Sequence, residues 1–309
     1  MQSERMEGRA GKLPDFLILG AAKCGTTALF GALSRHPRVY AAPVKEPFFL
    51  AYVDDPPDFP GPGGDRLSRR VISDYHAYEA LFADCPPGAV AGEATAEYLY
   101  SPTAPAAASA FVPKARLVAI LRHPVERAYS QYLHMRHEGL EPLTSFEAAW
   151  GEEDARIAKG WPPVWHYRAR GFYGEQLRRW LDAFPREQLL IELYDDWLHH
   201  PEATLARICE HLGIEPNALP VKRENVSSQQ PRWPWLHHRM VEDNALRRFA
   251  ARRLPLGIRD AITHTVGAVN LRTGPMLDPP LRARLAAEYS ADLDLTEALC
   301  GRDLTAWRR

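Results

Sequence analysis

Phe16-Leu17-Ile18-Leu19-Gly20-Ala21-Ala22-Lys23-Cys24-Gly25-Thr26-Thr27-Ala28-Leu29-Phe30 is the stretch from which the fold is read. Its first four residues form an uncharged apolar run, too short for a helix and ended by Gly20, which predicts a strand buried on both faces of a parallel sheet. From Thr27 to Leu33 the apolar residues recur at helical spacing and stop before His36-Pro37, so strand, turn and helix follow in order. Between them, small residues let the backbone curl until successive N–H groups converge, and the helix start adds partial positive charge. Thr26 or Thr27 could serve simply as the helix cap, but a cap does not explain Lys23 inside the turn. The turn therefore predicts an anion site, with phosphate as the natural ligand.

The same alternation continues outward. Strands are expected at Ala89–Gly92, Leu117–Leu121 and Leu189–Leu193, and helices at Val125–Arg136, Phe146–Ala158, Tyr173–Phe184 and Ala203–Leu212, with a short alanine-rich helix at Ala104–Ala110. Strand and helix in turn predict an α/β fold: a single P-loop-like domain with a central parallel sheet flanked by helices. Asp54–Asp65, rich in proline and glycine, is expected as a surface loop bordering a binding site. Ala218–Leu236 reads as irregular, either a tether packed on the sheet or a lid, and Pro279–Trp307 as helices closing the same domain.

Composition narrows the function. The 309 residues are 46% hydrophobic, enough for a core, and their formal net charge is −1. No global field draws the chain to nucleic acid or to an anionic membrane, so neither is expected as a partner and an anion must be captured locally. The cysteines Cys24, Cys85, Cys209 and Cys300 are too scattered for a zinc pair or a disulfide framework. Residues 1–14 carry mixed charge and no apolar core, so a flexible N-terminal tail is expected; no run approaches the roughly 20 apolar residues of a bilayer span, and the expectation is a soluble cytoplasmic protein.

Compared with the nucleotide-binding pattern G-x-x-x-x-G-K-[ST], the spacing Gly20 to Gly25 fits, but Thr26 stands where lysine belongs and Lys23 has moved to the other side of the loop. A second signal follows the third expected strand: Arg122-His123-Pro124-Val125-Glu126-Arg127-Ala128-Tyr129-Ser130-Gln131-Tyr132. Pro124 suits a first helical position and Glu126 the dipole of that turn. Arg122 falls at the carboxyl end of its strand, where open parallel sheets bind ligands, and Arg127 shares a helix face with Ser130. A guanidinium with a hydroxyl nearby receives a second phosphate.

Together these segments resemble the sulfotransferases that use 3′-phosphoadenosine 5′-phosphosulfate (PAPS), and most closely the subgroup of heparan sulfate N- and 3-O-sulfotransferases with its bacterial relatives. FLILGAAKCGTTAL is similar to that family's 5′-phosphosulfate loop and LVAILRHPVERAYSQY to its 3′-phosphate motif, R-x-P-x-x-R-x-x-S-x-Y. The resemblance implies a sulfotransferase domain over residues 15–309, with Lys23, Cys24, Gly25, Thr26 and Thr27 around the 5′-phosphate, Lys23 also meeting charge on the departing oxygen, and Arg122 and Ser130 on the 3′-phosphate. It implies PAPS as co-substrate and no metal, since lysine can do the metal's electrostatic work.

The same resemblance makes Glu46, in Lys45-Glu46-Pro47-Phe48-Phe49, the general base; alternatively Glu46 only pairs with Lys45 on the surface. As the residue before a proline it is expected in an extended conformation. Many members of that family carry a histidine between this proline and the aromatic pair, and those of the heparan type a lysine where Ala94 stands. The missing cation argues against a polyanionic glycan and for a small-molecule or glycosylated acceptor, taken at a hydroxyl before an amine. No clear counterpart of the relatives' C-terminal lysine-containing loop is found; Lys222, Arg223 and Arg272 are candidates to close over the donor, and the sequence does not choose whether one of them does. His199-His200 and His237-His238 lack metal-ligand spacing, and Trp161, Trp165, Trp233 and Trp235 fit an acceptor wall or loop anchors equally. A P-loop kinase and a non-catalytic nucleotide-binding protein of the same fold stay open on the residues alone, as does the oligomeric state.

Overall fold

The computed structural model of the chain describes residues 11–216, 229–231, 271–273 and 276–308. Among these, β1 (Phe16–Gly20), α1 (Thr26–Leu33), β2 (Val39–Ala41), α2 (Gly64–Ser68), α3 (Tyr75–Glu79), β3 (Val90–Ala94), α4 (Ala104–Phe111), β4 (Arg116–Leu121) and α5 (Pro124–His137) follow in order. Next come α6 (Phe146–Gly151), α7 (Glu153–Ala158), α8 (Tyr173–Ala183), β5 (Leu189–Leu193), α9 (Tyr194–His199) and α10 (Pro201–His211). A short antiparallel pair, β6 (Gln229–Pro231) with β7 (Leu271–Thr273), precedes α11 (Pro279–Ala287) and α12 (Ser290–Cys300).

The strands β1 to β5 form one sheet in the order β2-β3-β1-β4-β5, with every neighbouring pair parallel. Phe16, Leu17, Ile18 and Leu19 are completely buried, as an uncharged central strand requires. The chain leaves β1 towards β2 on one side and leaves β4 towards β5 on the other. β1 and β4 are adjacent, so their carboxyl ends open the crevice at which the topology switches direction. The lysine-bearing turn follows β1 and Arg122 follows β4.

The C-terminal helices close onto this unit. Asp292 of α12 accepts from the backbone N–H groups of Gly174 (3.0 Å) and Glu175 (3.2 Å), capping the first turn of α8. Arg282 of α11 pairs with Glu126 of α5 at 3.0 Å, and Leu304 and Trp307 are buried. The four cysteines are free thiols. No helix among the described residues is long and apolar enough to cross a membrane.

Several local expectations are corrected. Phe146–Ala158 is two helices, broken at Gly151-Glu152, because Glu153 turns inward to accept the backbone N–H groups of Ala169 (2.9 Å) and Arg168. β2 and α9 were not anticipated. Leu13 and Pro14 already pack on the domain, inside the stretch expected as a tail. The loop Asp54–Asp65 is anchored by tryptophans: Trp165 is fully buried and donates its indole N–H to the Pro62 carbonyl at 3.1 Å, while Trp161 lies against Gly61. Trp161 and Trp165 are thus loop anchors. Most of Ala218–Leu236, including Lys222, Arg223, Trp233 and Trp235, and with it His237-His238, lies outside the described residues; Arg272 is placed by its backbone on β7.

Gly92 faces the ring of Phe16 across the β1–β3 pair, where a Cβ would stand only 2.1 Å from ring carbons. Gly92→Ala is expected to destabilise by about 1–3 kcal/mol, since the buried ring cannot move aside. Adding Phe16→Leu should recover part of the loss in a denaturant titration. A Gly92→Ala protein as stable as the parent contradicts this packing.

Candidate active site

The turn after β1 closes by a bond from the Ala21 N–H to the Ile120 carbonyl of β4 at 2.8 Å and by one from the Cys24 N–H to the Ala21 carbonyl at 3.2 Å. Lys23 (φ 67°) and Gly25 (φ 83°) both sit in the left-handed region. Gly25 has no substitute here, because a Cβ would lie 3.0 Å from Trp197 and 3.3 Å from Tyr194. Gly25 also occupies the cap position of α1, and neither Thr26 nor Thr27 caps the helix with its side chain. Thr26 is buried and Thr27 exposed at the helix start. The Cys24 side chain faces the core and points its thiol at the Ala22 carbonyl, and burial pushes that thiol up to about 11. Cys24 therefore frames the loop as a neutral group.

Lys23 is enclosed, and this burial lowers its ammonium from the usual value to about 8; the Arg122 charge acts in the same direction and the Glu46 charge opposes it. Arg122 donates to the Lys23 carbonyl at 3.4 Å, lies 4.7 Å from the centre of the Tyr194 ring and stands 3.7 Å from Glu126. The strand ends thus bring Lys23, the turn and Arg122 together, as expected.

Ser130, further along α5, is buried, and its hydroxyl has no hydrogen-bond partner among the described residues; the same is true of Arg122 Nε and of Nε and Nη1 of Arg127. Arg127 is completely buried and donates to the Tyr167 carbonyl through Nη2. Buried donors left unmatched in this way are costly unless a ligand engages them. The residues present fit an anion of more than one phosphate.

Glu46 stands across from the turn. Its backbone N–H donates to the carbonyl of Ala94, the last residue of β3, at 3.0 Å, and its φ is 58°, not the extended value expected before proline. The Ala94 anchor and a bond from the Ile72 N–H to the Pro47 carbonyl (2.9 Å) override that local preference, at a cost of order 1 kcal/mol. Lys45 Nζ is 3.0 Å from Glu46 Oε1, so the expected pairing is present. A second cation, Arg70, approaches Oε2 at 3.8 Å.

Beneath this turn Glu93 is completely buried and accepts from the hydroxyls of Tyr98 (2.7 Å), Thr95 (2.7 Å) and Tyr78 (3.0 Å). Burial pushes its carboxyl up to about 7, and the three hydroxyl donors pull the other way. Ala94 is buried and leaves no cation at this strand end.

Four residues were not found in the sequence. His134 is exposed to solvent, and the surrounding protein and then the Lys23 charge hold its imidazole below the usual range. It follows Ser130 by one helical turn, a spacing that could have flagged it. Tyr194 and Trp197, packed on Gly25, start the helix after β5; their place at a strand's carboxyl end was the available signal. Arg70 reaches Glu46 only through the fold of the preceding loop.

Residues 14–217 match the family described as Sulfotransferase family. Among curated proteins the chain is 28% identical over 227 residues to human bifunctional heparan sulfate N-deacetylase/N-sulfotransferase 2, covering 68% of this chain and 23% of that protein. It is 28% identical over 266 residues to human carbohydrate sulfotransferase 15, covering 71% of this chain and 46% of that protein. The chain therefore spans less than half the length of these two relatives. A crystal structure of a sulfotransferase from Alicyclobacillus acidocaldarius superposes with a TM-score of 0.76 at 32% identity, covering 96% of this chain and 100% of that one.

The pH dependence of Lys23 labelling by an amine reagent should show a midpoint of about 8, against about 10.4 for an ordinary lysine. Because Arg122 lowers this value, Arg122→Ala should move the midpoint up. A midpoint near 10 in the parent protein contradicts the enclosed, charge-crowded site.

Proposed function

The chain belongs to the sulfotransferase family, and on that premise we propose that it moves the sulfuryl group of PAPS in line to a hydroxyl of a small-molecule or glycosylated acceptor, with an amine as the second acceptor type. The observation that carries this reading is the meeting of two strand ends: Arg122 after β4 donates to the carbonyl of Lys23 in the turn after β1 at 3.4 Å, and the buried Ser130 hydroxyl on α5 has no hydrogen-bond partner among the described residues. Bound there, the donor supplies a sulfuryl group whose S–O bond to the 5′-phosphate is the one that breaks.

The N–H groups and hydroxyls of Gly25, Thr26 and Thr27 hold the 5′-phosphate at the start of α1, within the frame set by Cys24. Lys23, protonated once an anion is beside it, meets the charge that grows on the bridging oxygen. That is the electrostatic role a metal ion fills in phosphoryl transfer, so no metal is needed in this reading. Arg122 and Ser130 take the 3′-phosphate, which supplies the hydrogen bonds that the Ser130 hydroxyl and Arg122 Nε lack among the described residues. Glu46 accepts the proton of the acceptor as its oxygen attacks sulfur.

A hydroxyl is favoured because it needs to lose its proton only as the new bond forms, whereas an alkylammonium must lose one beforehand. The name of carbohydrate sulfotransferase 15 supports a sugar hydroxyl in the acceptor panel, and that of the N-sulfotransferase keeps an amino sugar there. Ala94, in place of the relatives' lysine, speaks against a polyanionic chain.

Incubation with PAPS and a panel of hydroxyl and amine acceptors should release adenosine 3′,5′-bisphosphate with formation of a sulfated product. Lys23→Ala and Glu46→Gln should each lower kcat by about a hundredfold or more while leaving bisphosphate affinity within a few-fold. Arg122→Ala should chiefly raise the donor Kd, by about tenfold or more. Magnesium-dependent ATP binding tighter than bisphosphate binding would instead favour a kinase, and tight bisphosphate binding without transfer to any acceptor a non-catalytic protein.

A further inference from the structure

Glu93 lies outside the groups that would touch donor or acceptor, yet it has an unusual setting. It is completely buried, with no basic side chain among the described residues in hydrogen-bond contact, and three hydroxyls converge on it. A carboxylate buried without a cation persists only where such donors satisfy its oxygens.

Two of those donors lead directly to the segment that carries Glu46. The Tyr98 hydroxyl gives its proton to Glu93 Oε1 and, with its lone pair so oriented, accepts from the Leu50 N–H at 3.3 Å. Tyr78, which donates to the same Oε1, stacks on Phe49 with ring centroids 4.3 Å apart and planes 16° apart. Leu50 and Phe49 are fully buried and close the turn whose other end is pinned by the bond from the Glu46 N–H to the Ala94 carbonyl, next to Glu93 in β3. Between these anchors Glu46 and Phe48 both hold positive φ, a conformation that persists only where neighbours determine it.

We propose that Glu93 is a positioning residue: as a buried acceptor for Tyr98 and Tyr78 it fixes the turn Glu46–Leu50 and thereby aims the Glu46 carboxylate. This rests on the reading of Glu46 as the base. Glu93 itself touches neither substrate nor reacting atoms and acts through the two tyrosines.

The test is a double-mutant cycle of Tyr98→Phe with Glu46→Gln, followed by kcat, donor KM and bisphosphate affinity. Tyr98→Phe keeps the ring and removes only the hydroxyl. It should lower kcat about tenfold, leave donor KM and bisphosphate affinity within about twofold, and change kcat by less than about twofold once Glu46 is already glutamine. Hydrogen exchange at the Leu50 amide should accelerate in Tyr98→Phe. Glu93→Gln keeps an oxygen for both tyrosines and should retain kcat within a few-fold, whereas Glu93→Leu should lose it.

Equal kcat losses from Tyr98→Phe in both backgrounds, a parallel loss of donor affinity, or unchanged exchange at Leu50 would overturn the brace while leaving Glu46 as base. Unchanged turnover in Glu46→Gln alone would overturn the base assignment and the positioning role with it. Loss of kcat in Glu93→Gln as severe as in Glu93→Leu would overturn the role of Glu93 as a hydrogen-bond acceptor.

Discussion

Two cations held beside each other in an enclosed crevice set the terms for the rest of the molecule. Lys23 leaves β1 in a left-handed turn, and Arg122, at the end of the neighbouring strand β4, reaches over to its carbonyl. Adjacent parallel strands force the two charges together, and the protein around them reduces the solvent screening that would separate their effects. The arrangement is least comfortable without an anion. In the reading proposed above, a ligand with two phosphates would relieve the repulsion between the cations and supply the hydrogen bonds that the Ser130 hydroxyl and Arg122 Nε lack among the described residues. A chain with a formal net charge of −1 thus gathers two cations at one crevice.

The acceptor side is built by different means. Where the donor side hangs from strand ends, Glu46 sits in a turn beside the sheet, and its conformation is imposed by Ala94, Ile72 and the tyrosines gathered around Glu93. Beyond it the proline-rich loop, anchored by Trp161 and Trp165, feeds into α2, whose end brings Arg70 to the carboxylate. The turn that carries Lys23 thus stands on the rigid sheet, while the surroundings of Glu46 are built from loops, which tolerate change more readily than the elements they connect.

The donor half could be read from the sequence because its signals are local. An uncharged run, a glycine-flanked turn and a helical period identify β1, the turn and α1, and Arg-x-Pro places Arg122 at the start of α5. β2 escaped because its apolar run is short, only half-buried and lies between Pro37 and Pro43, and α9 because β5 passes into it at Leu193 without a turn residue. The left-handed conformation of Glu46 was also hidden: its cause is a carbonyl on β3, remote in sequence, while the adjacent proline argues for the opposite. His134 had the right helical spacing from Ser130, but spacing alone does not separate a site-facing imidazole from a solvated one.

The central claim is that one crevice holds two phosphates of the same nucleotide, one at the Lys23 turn and the other at Arg122 and Ser130. It is tested most directly by comparing, in calorimetry without magnesium, adenosine 3′,5′-bisphosphate with adenosine 5′-phosphate, which lacks only the 3′-phosphate. The bisphosphate should bind about a hundredfold more tightly, as loss of a charge-assisted contact to two groups implies. Equal affinities for the two nucleotides would contradict the account.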